Sequence, residues 1–414
     1  MFSGLKSCKN FFILIVMLEC YNSVLYNRVM FEDRSEVIPV SYLKEGMVLN
    51  GNLYDINGSF LWPSKIPVRR EFIESLQQLG IKELYYRPIS PDISFSKEKI
   101  ENPIISEETQ KKIQNSFMSI IWDINNSQMP KIDKAKSSIE DAAKEIKLGT
   151  NKTLNLLDLK GHDSYSYIHA INTSLLATYV ASKLGLSFDK VCNVGLGALL
   201  IDIGKIKIPT SILNKKEPLS SIEIETLKKH PIIGYQIVKE NTEIDESVKK
   251  IVLLHHEQVD GKGYPLGVDE SKIDLYSKIV SICDGFDAMT TERPYRPPLP
   301  TRVALEEILK LAGVKYDSEV SLKFALEISK MYKIQSPLSK GTIVELNTGE
   351  YGMISKLHSE YDIAPEVIIA LNSDKTPLRS PISVDLMKDA VGRKVKRVVF
   401  DVGLILKIKS FVER

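Results

Sequence analysis

The strongest constraint on the fold is residues 150–335, where the apolar residues recur at helical spacing. Runs such as Ser166–Leu184 and Lys190–Leu200 favour amphipathic helices that bury one face. Turn residues separate these runs, and no alternation typical of strands interrupts them. The pattern predicts a bundle whose facing helices point polar groups inward. Further predicted helices are Ile222–Lys239 (interrupted or kinked at Pro231), Glu246–His256 and Ala304–Leu311.

The flanking segments are patterned differently. In residues 35–88 short apolar runs alternate with turns, and the Asn57-Gly58 pair between two of them is typical of a hairpin. A helix over Phe72–Leu79 and a strand over Ile81–Tyr86 would complete a small α+β module. The end of the chain favours strands, including Val398–Leu406.

We therefore predict a mainly α fold with a small α+β N-terminal module and a small β-rich C-terminal module. Helices over Glu107–Asn126 and Ile132–Leu148 would connect the first module to the bundle. The predicted divisions are an N-terminal extension (1–34), the α+β module (35–88), a linker with connecting helices (89–149), the helical domain (150–335) and the β-rich module (336–414).

Composition excludes some functions. The net charge of the 414 residues is +2, which gives no bulk electrostatic reason to bind a nucleic acid polymer or a membrane. Four separate cysteines fit a reducing cytosol better than a disulfide framework. The apolar run over residues 11–18 is too short to span a bilayer. We expect a cytoplasmic protein that starts naturally at Met30, although anchoring near a membrane through residues 11–18 stays open.

Histidines in the helical region suggest a metal site. His169, His230, His255 and His256 all lie there, and imidazole is a usual ligand of zinc and iron. Each has an ordinary alternative, such as a core histidine or a helix-end partner. The tandem pair alone is weak evidence, because adjacent residues on a helix point in different directions.

Phosphate-binding features follow the tandem pair. Gly261, Gly263 and Pro265 predict a sharply folded loop whose backbone amides could approach an anion. Downstream, Asp284 and Asp287 share one helical face, although a solvated face is the usual fate of such pairs. Two guanidinium groups, Arg293 and Arg296, have the geometry to bind phosphate oxygens but could equally be surface charges.

The string from His255 to Pro265, His-His-Glu-x-x-Asp-Gly-x-Gly-Tyr-Pro, resembles the signature of HD-GYP domains. Other fragments follow in the family's order across residues 150–335. They are Asp163-x-Tyr165-x-x-x-His169, Asp202-Ile-Gly-Lys205, Leu213-Asn-Lys215, His230-Pro-x-x-Gly234, Asp284-x-x-Asp287 and Arg293-Pro-Tyr-Arg296.

The resemblance implies an HD-type helical bundle that hydrolyses cyclic di-GMP with two divalent ions, iron, manganese or similar. It assigns metal binding to His169, Asp202, His230, His255, His256 and Asp284. Lys205 would meet the scissile phosphate and, with Asp202, carry catalysis. The implied ligand-binding residues are Lys205, Gly263, Tyr264, Pro265, Asp287, Arg293 and Arg296.

One position departs from the family pattern. The histidine of the HD dipeptide is replaced by Ile201, directly before Asp202, and isoleucine cannot bind a metal. His162-Asp163 lies in a different context and does not replace it. Some members place a glutamate where this chain has Tyr165, so we expect at most two ions, and the occupancy of one site is in doubt.

Three functions remain open at this point. The chain could be a cyclic di-GMP phosphodiesterase, with activity reduced by Ile201. It could be a catalytically inactive cyclic di-GMP receptor that signals through its flanking domains. It could also be a related phosphohydrolase acting on another phosphoester, which the Gly263-Tyr264-Pro265 loop disfavours. The sequence also leaves open a homodimer and protein partners of the terminal modules.

Overall fold

The protein is represented by a computed structural model that describes residues 36–49, 51–54, 60–62, 68, 70–78, 81–88, 103–149, 153–154, 156, 165–213, 215, 218–291 and 298–412. The chain divides into two compact units. One unit is Glu98–Pro337, and the other combines Met1–Lys97 with Leu338–Arg414.

The N-terminal module is a small α+β fold, as predicted. Its four strands form an antiparallel sheet in the order β1-β4-β2-β3. Leu53 and Leu84 are fully buried in its core, where Leu76 of the helix packs with them. Strands β2 and β3 pair as the hairpin pattern predicted, while Asn57-Gly58 lies outside the described residues. The elements are β1 (Glu36–Pro39), β2 (Gly51–Tyr54), β3 (Phe60–Trp62), α1 (Arg70–Gln78) and β4 (Glu83–Pro88).

The second unit is helical, as its periodicity predicted. A 3-10 helix, Ile203–Lys207, follows α5 directly. The α-helices are α2 (Glu107–Asn125), α3 (Asp133–Leu148), α4 (Tyr165–Lys183), α5 (Phe188–Leu200), α6 (Thr210–Leu213), α7 (Ser221–Leu227), α8 (His230–Val238), α9 (Glu246–Leu254), α10 (Leu275–Thr290), α11 (Thr301–Lys310) and α12 (Ser318–Met331).

Helix α4 packs tightly on its neighbours α5 and α10. The contact with α5 needs Gly195, because a Cβ there would lie 2.3 Å from Oγ1 of Thr178. The Ser174 hydroxyl donates a 2.7 Å hydrogen bond to the Gly195 carbonyl across the same contact. This close packing fixes α4, which carries His169, against the helices that carry other site residues.

The stretch Ile222–Lys239 is interrupted rather than kinked. Helix α7 ends at Leu227 and α8 begins at His230, so the break precedes Pro231. Proline in the first turn of a helix costs little, because its missing N–H would have no helical partner there. The break places His230 at the start of a helix.

The C-terminal module is a five-stranded antiparallel sheet in the order β8-β7-β6-β5-β9, covered by a helix. The predicted strand over Val398–Leu406 is wrong. The strand β9 ends at Val398, and a helix follows, because Leu404, Ile408 and Phe411 recur at helical spacing and pack onto the sheet core. The elements are β5 (Ile343–Leu346), β6 (Tyr351–Lys356), β7 (Glu366–Leu371), β8 (Pro377–Asp385), β9 (Val395–Val398) and α13 (Val402–Val412).

Among the described residues, no helix combines the length and apolar character needed to cross a membrane. The apolar run over residues 11–18 lies outside the described part of the chain.

Candidate metal centre

The structure brings the six candidate metal ligands together within the helical unit. They come from distant parts of the sequence, and four are buried while His256 and Asp284 are half-buried. They are His169 in α4, Asp202 directly after α5, His230 at the start of α8, His255 and His256 directly after α9, and Asp284 in α10.

Gly204 allows the approach of Asp202 to His230. A Cβ at Gly204 would lie 2.0 Å from the His230 carbonyl oxygen and 2.6 Å from the Gly234 nitrogen. The 3-10 helix after Asp202 can therefore lie directly on α8, which leaves Asp202 Oδ1 3.3 Å from His230 Nε2.

The tandem histidines face one site because the helix stops at them. Helix α9 ends at Leu254, and His255 occupies its C-cap position. The His255 and His256 ring centroids are 4.1 Å apart, and the His256 and His230 centroids are 5.0 Å apart. The sequence argument against adjacent ligands on a helix does not apply here, since the second histidine lies beyond the helix.

Four residues form a compact set of donors. Asp202, His230, His255 and His256 each offer one ligand atom, and these atoms all lie within 4.8 Å of one another. Three imidazoles with one carboxylate suit zinc, iron, manganese and similar divalent ions.

The hydrogen bonds of His230 and His255 fit a metal between them. His230 Nδ1 lies 2.9 Å from the Leu227 carbonyl oxygen, and His255 Nδ1 lies 3.0 Å from the Val252 carbonyl oxygen. A carbonyl can only accept, so each Nδ1 carries the proton and each Nε2 of the neutral ring presents a lone pair. The two Nε2 atoms are 3.3 Å apart. Two Nε2 lone pairs at this separation can bind one metal ion, as in metal sites whose histidines are oriented by backbone carbonyls.

Burial keeps these imidazoles neutral, which is the metal-binding form. Desolvation lowers the pKa of His230 to about 4 and also lowers those of His255 and His256. Desolvation alone would raise the pKa of Asp202, but the charge of the Lys205 ammonium beside it holds the pKa well below its usual value. The centre therefore combines neutral nitrogen donors with one ionised carboxylate.

His169 is held between two carboxylates beside this centre. Its Nε2 lies 2.8 Å from Asp284 Oδ1, and its Nδ1 lies 2.7 Å from Asp287 Oδ2. Burial acts to lower the pKa of His169, but the hydrogen bonds and charges of the two aspartates outweigh it and raise the pKa to about 10. Asp284 also reaches the centre, with Oδ2 3.8 Å from Nδ1 of His256.

Asp287 was assigned to ligand binding, but the structure gives it a different position. It is fully buried, and its second oxygen accepts a 2.9 Å hydrogen bond from the Thr291 hydroxyl. Both oxygens are thus engaged within the protein, and Oδ2 orients the His169 ring, while ligand binding by Asp287 stays a prediction. The spacing of Asp284 and Asp287 predicted a shared face but could not show that one imidazole bridges them.

The Gly-Tyr-Pro loop lies against the centre. The Tyr264 ring centroid is 4.6 Å from that of His256, and the Tyr264–Pro265 peptide bond is cis. Gly263 is required by space, because a Cβ would lie 2.3 Å from the Gln258 nitrogen. The buried Glu257 carboxylate accepts hydrogen bonds from the backbone amides of Leu266, Gly267 and Val268 at 2.7, 3.1 and 3.2 Å. Sequence reasoning gave Glu257 no role, although it lies inside the signature string.

We expect Glu257→Gln to loosen this loop. Glutamine replaces one carboxylate oxygen by an amide donor, so at least one backbone N–H of the loop loses its acceptor, at a cost of about 1 kcal/mol. Faster hydrogen exchange at the amides of residues 266–268 is the expected result. The control is Glu319→Gln, which changes an exposed carboxylate in α12. Unchanged exchange in the Glu257 variant would show that these bonds do not hold the loop.

The comparisons with known proteins agree with this geometry. The family model described as HD domain matches residues 136–320. A cyclic di-GMP phosphodiesterase of Thermotoga maritima is 33% identical over 246 residues, covering 56% of this chain and 67% of that protein. The chain belongs to the HD-GYP family. A cyclic di-GMP phosphodiesterase of Pseudomonas aeruginosa is 30% identical, with 62% of this chain and 60% of the relative covered. A 3'3'-cGAMP-specific phosphodiesterase of Vibrio cholerae is 31% identical over 40% of this chain and 36% of its own length.

The chain thus spans about two thirds or less of the length of these relatives. Its HD-GYP domain and its cluster of histidines and aspartate together indicate a divalent metal centre. Lys205 adjoins it, donating a 2.6 Å hydrogen bond to Asp202 Oδ2.

Ile201, at the position of the HD-GYP histidine, is fully buried in the apolar core. Arg293, Arg296, His162 and Asp163 lie outside the described residues.

Proposed function

We propose that this chain is a metal-dependent phosphodiesterase that hydrolyses cyclic di-GMP. The observation that carries the proposal is the pair of Nε2 lone pairs on His230 and His255, which converge with Asp202 and His256 beside the Gly-Tyr-Pro loop. A divalent ion held there supplies Lewis-acid stabilisation of the charge that develops on phosphate oxygens.

The chain's own residues would bind and orient the phosphodiester. Lys205 lies at the edge of the centre with its side chain 27% exposed, so its ammonium can reach a phosphate oxygen while remaining next to Asp202. The Tyr264 ring, stacked near His256, would form an apolar wall of the pocket. In this proposal Gly263 and Pro265 shape that wall, and Arg293 and Arg296 bind further phosphate oxygens.

The substrate class is supported by the relatives. Those that match over the largest share of this chain are named for cyclic di-GMP, and three that match over a smaller share are named for 3'3'-cGAMP. The proposed ligand is accordingly a cyclic dinucleotide and not a nucleic acid polymer, in line with a net charge of +2.

A receptor without catalysis is the second candidate, and Ile201 favours it. This residue replaces a donor of the family's HD dipeptide with an apolar side chain that is fully buried. Such a chain could bind cyclic di-GMP and signal through its flanking modules. The retained donors favour the phosphodiesterase, because a receptor has little need of three converging imidazoles.

The deciding experiment compares the wild-type chain with Ile201→His. Loaded with manganese or iron, the wild type should hydrolyse cyclic di-GMP slowly, and Ile201→His should be faster by about 10-fold or more, the scale expected for restoring a group at a metal site. Product formation by chromatography is the measurement, with 3'3'-cGAMP as the competing substrate. Ile201→Val is the control and should match the wild type. Retained cyclic di-GMP binding without hydrolysis by either the wild type or Ile201→His would establish the receptor.

A further inference from the structure

The two oxygens of Asp202 face different partners. Oδ1 is 3.3 Å from His230 Nε2, on the side of the converging imidazoles. Oδ2 accepts the 2.6 Å hydrogen bond from the Lys205 ammonium and lies 3.9 Å from His169 Nε2. An ion that shared Asp202 with the first centre would have to use Oδ2, which already has a cationic partner.

The donors on the Oδ2 side are incomplete. Besides Oδ2 itself, the described residues there offer His169 Nε2 and Asp284 Oδ1. Ile201, immediately before Asp202, has no donor atom. Three protein donors and a water can hold a catalytic zinc, but here His169 Nε2 and Asp284 Oδ1 are hydrogen-bonded to each other and Asp202 Oδ2 is bonded to Lys205. The neighbouring centre has four protein donors within 4.8 Å of one another, so among the described residues of the helical unit that side alone has a compact set of four ligand atoms.

The polar groups on the Oδ2 side are satisfied without an ion. The Thr291 hydroxyl donates a hydrogen bond to Asp287, and the His169 ring bridges Asp287 and Asp284 through its two nitrogens. His169 therefore uses both ring nitrogens. This contrasts with His230 and His255, whose Nδ1 atoms both face backbone carbonyls and whose Nε2 atoms lie 3.3 Å from each other.

We propose that the chain holds one divalent ion, at Asp202, His230, His255 and His256. The neighbouring side chains Lys205, His169 and Asp284 bind no metal ion. Lys205 supplies to Asp202 Oδ2 the positive charge that a second ion would supply. The inference rests on the proposed metal centre but not on turnover, since it concerns what the site binds.

The test counts ions in the full chain. The protein is stripped with a chelator, reloaded with Mn(II) and desalted, and bound manganese is measured by elemental analysis and electron paramagnetic resonance. His358, Glu366 and Asp385 on the C-terminal sheet also have ligand atoms within 4.8 Å of one another, so the count is made in a His358→Ala background as well as in the wild type. We expect one ion per chain in that background, with the hyperfine pattern of an isolated Mn(II), and the same count after adding Asp284→Asn.

Two ions per chain in the His358→Ala background, with an exchange-coupled spectrum, would overturn the inference. Loss of one ion on adding Asp284→Asn would also overturn it, because Asp284 would then be a metal ligand. The absence of any bound ion would overturn it as well. One bound ion without hydrolysis of cyclic di-GMP would leave the inference standing and remove the phosphodiesterase proposal, so the two fail separately.

Discussion

Replacing His255 with alanine is expected to lower divalent metal affinity at least about 100-fold and to reduce cyclic di-GMP hydrolysis by a similar factor. Changes to groups that merely orient a ligand cost about 10–100-fold, and removing a ligand should cost at least that much. His255 is fully buried, its Nδ1 is fixed by the Val252 carbonyl, and its Nε2 faces that of His230. No other described side chain is placed to take over this position. Titration with manganese against a competing chelator gives the affinity, and chromatography of the products gives the rate.

The matched control is His358→Ala. His358 lies in the loop between β6 and β7 of the C-terminal module, and its Nε2 is 3.0 Å from Asp385 Oδ1. We expect its removal to leave hydrolysis unchanged. If His255→Ala keeps wild-type metal affinity at the helical unit, the converging nitrogens are not a metal centre and the proposed function loses its support.

Much of the fold could be predicted from the sequence, because helical periodicity is a local signal. The pattern predicted α4 and α5 almost to their ends, since a continuous apolar stripe marks a buried helical face. It failed at Val398–Leu406, where β-branched and apolar residues suit both a strand and a helix. There the choice is made by the sheet beneath, onto which Ile408 packs with no exposed surface.

The site could be predicted in its membership but not in its geometry. A specific string around His255 pointed to the family, and the family order pointed to the other ligands. Which donors converge depends on packing between segments far apart in sequence. Examples are the close approach of Gly204 to α8 and the end of α9 at the tandem histidines.

The roles of Asp287 and Glu257 show the same limit. Both are carboxylates in suggestive motifs, and sequence alone cannot tell a carboxylate that meets a ligand from one that holds a neighbour. The structure separates them, since Asp287 orients His169 and Glu257 holds three loop amides. Burial distinguishes these positions, and burial is a property of the whole fold.

Replacing Gly204 with alanine is expected to destabilise the helical unit by about 3 kcal/mol, the upper end of the usual cost of overpacking. The added Cβ would lie 2.0 Å from the His230 carbonyl oxygen and 2.6 Å from the Gly234 nitrogen. These are backbone atoms of α8, so the collision cannot be relieved by turning a side chain. The 3-10 helix must move away from α8, and Asp202 must move away from His230 with it. The variant should therefore lose metal affinity as well as thermal stability.

Gly403→Ala is the control for the glycine substitution itself. At this exposed position in α13 the nearest atom to an added Cβ is Oδ1 of the exposed Asp401 side chain, at 3.3 Å. Alanine favours a helix over glycine by about 1 kcal/mol, so this variant should be as stable as the wild type or more so. Thermal unfolding with and without manganese measures both effects. A Gly204→Ala chain with wild-type stability and metal affinity would mean that Asp202 reaches His230 without the close contact between the 3-10 helix and α8.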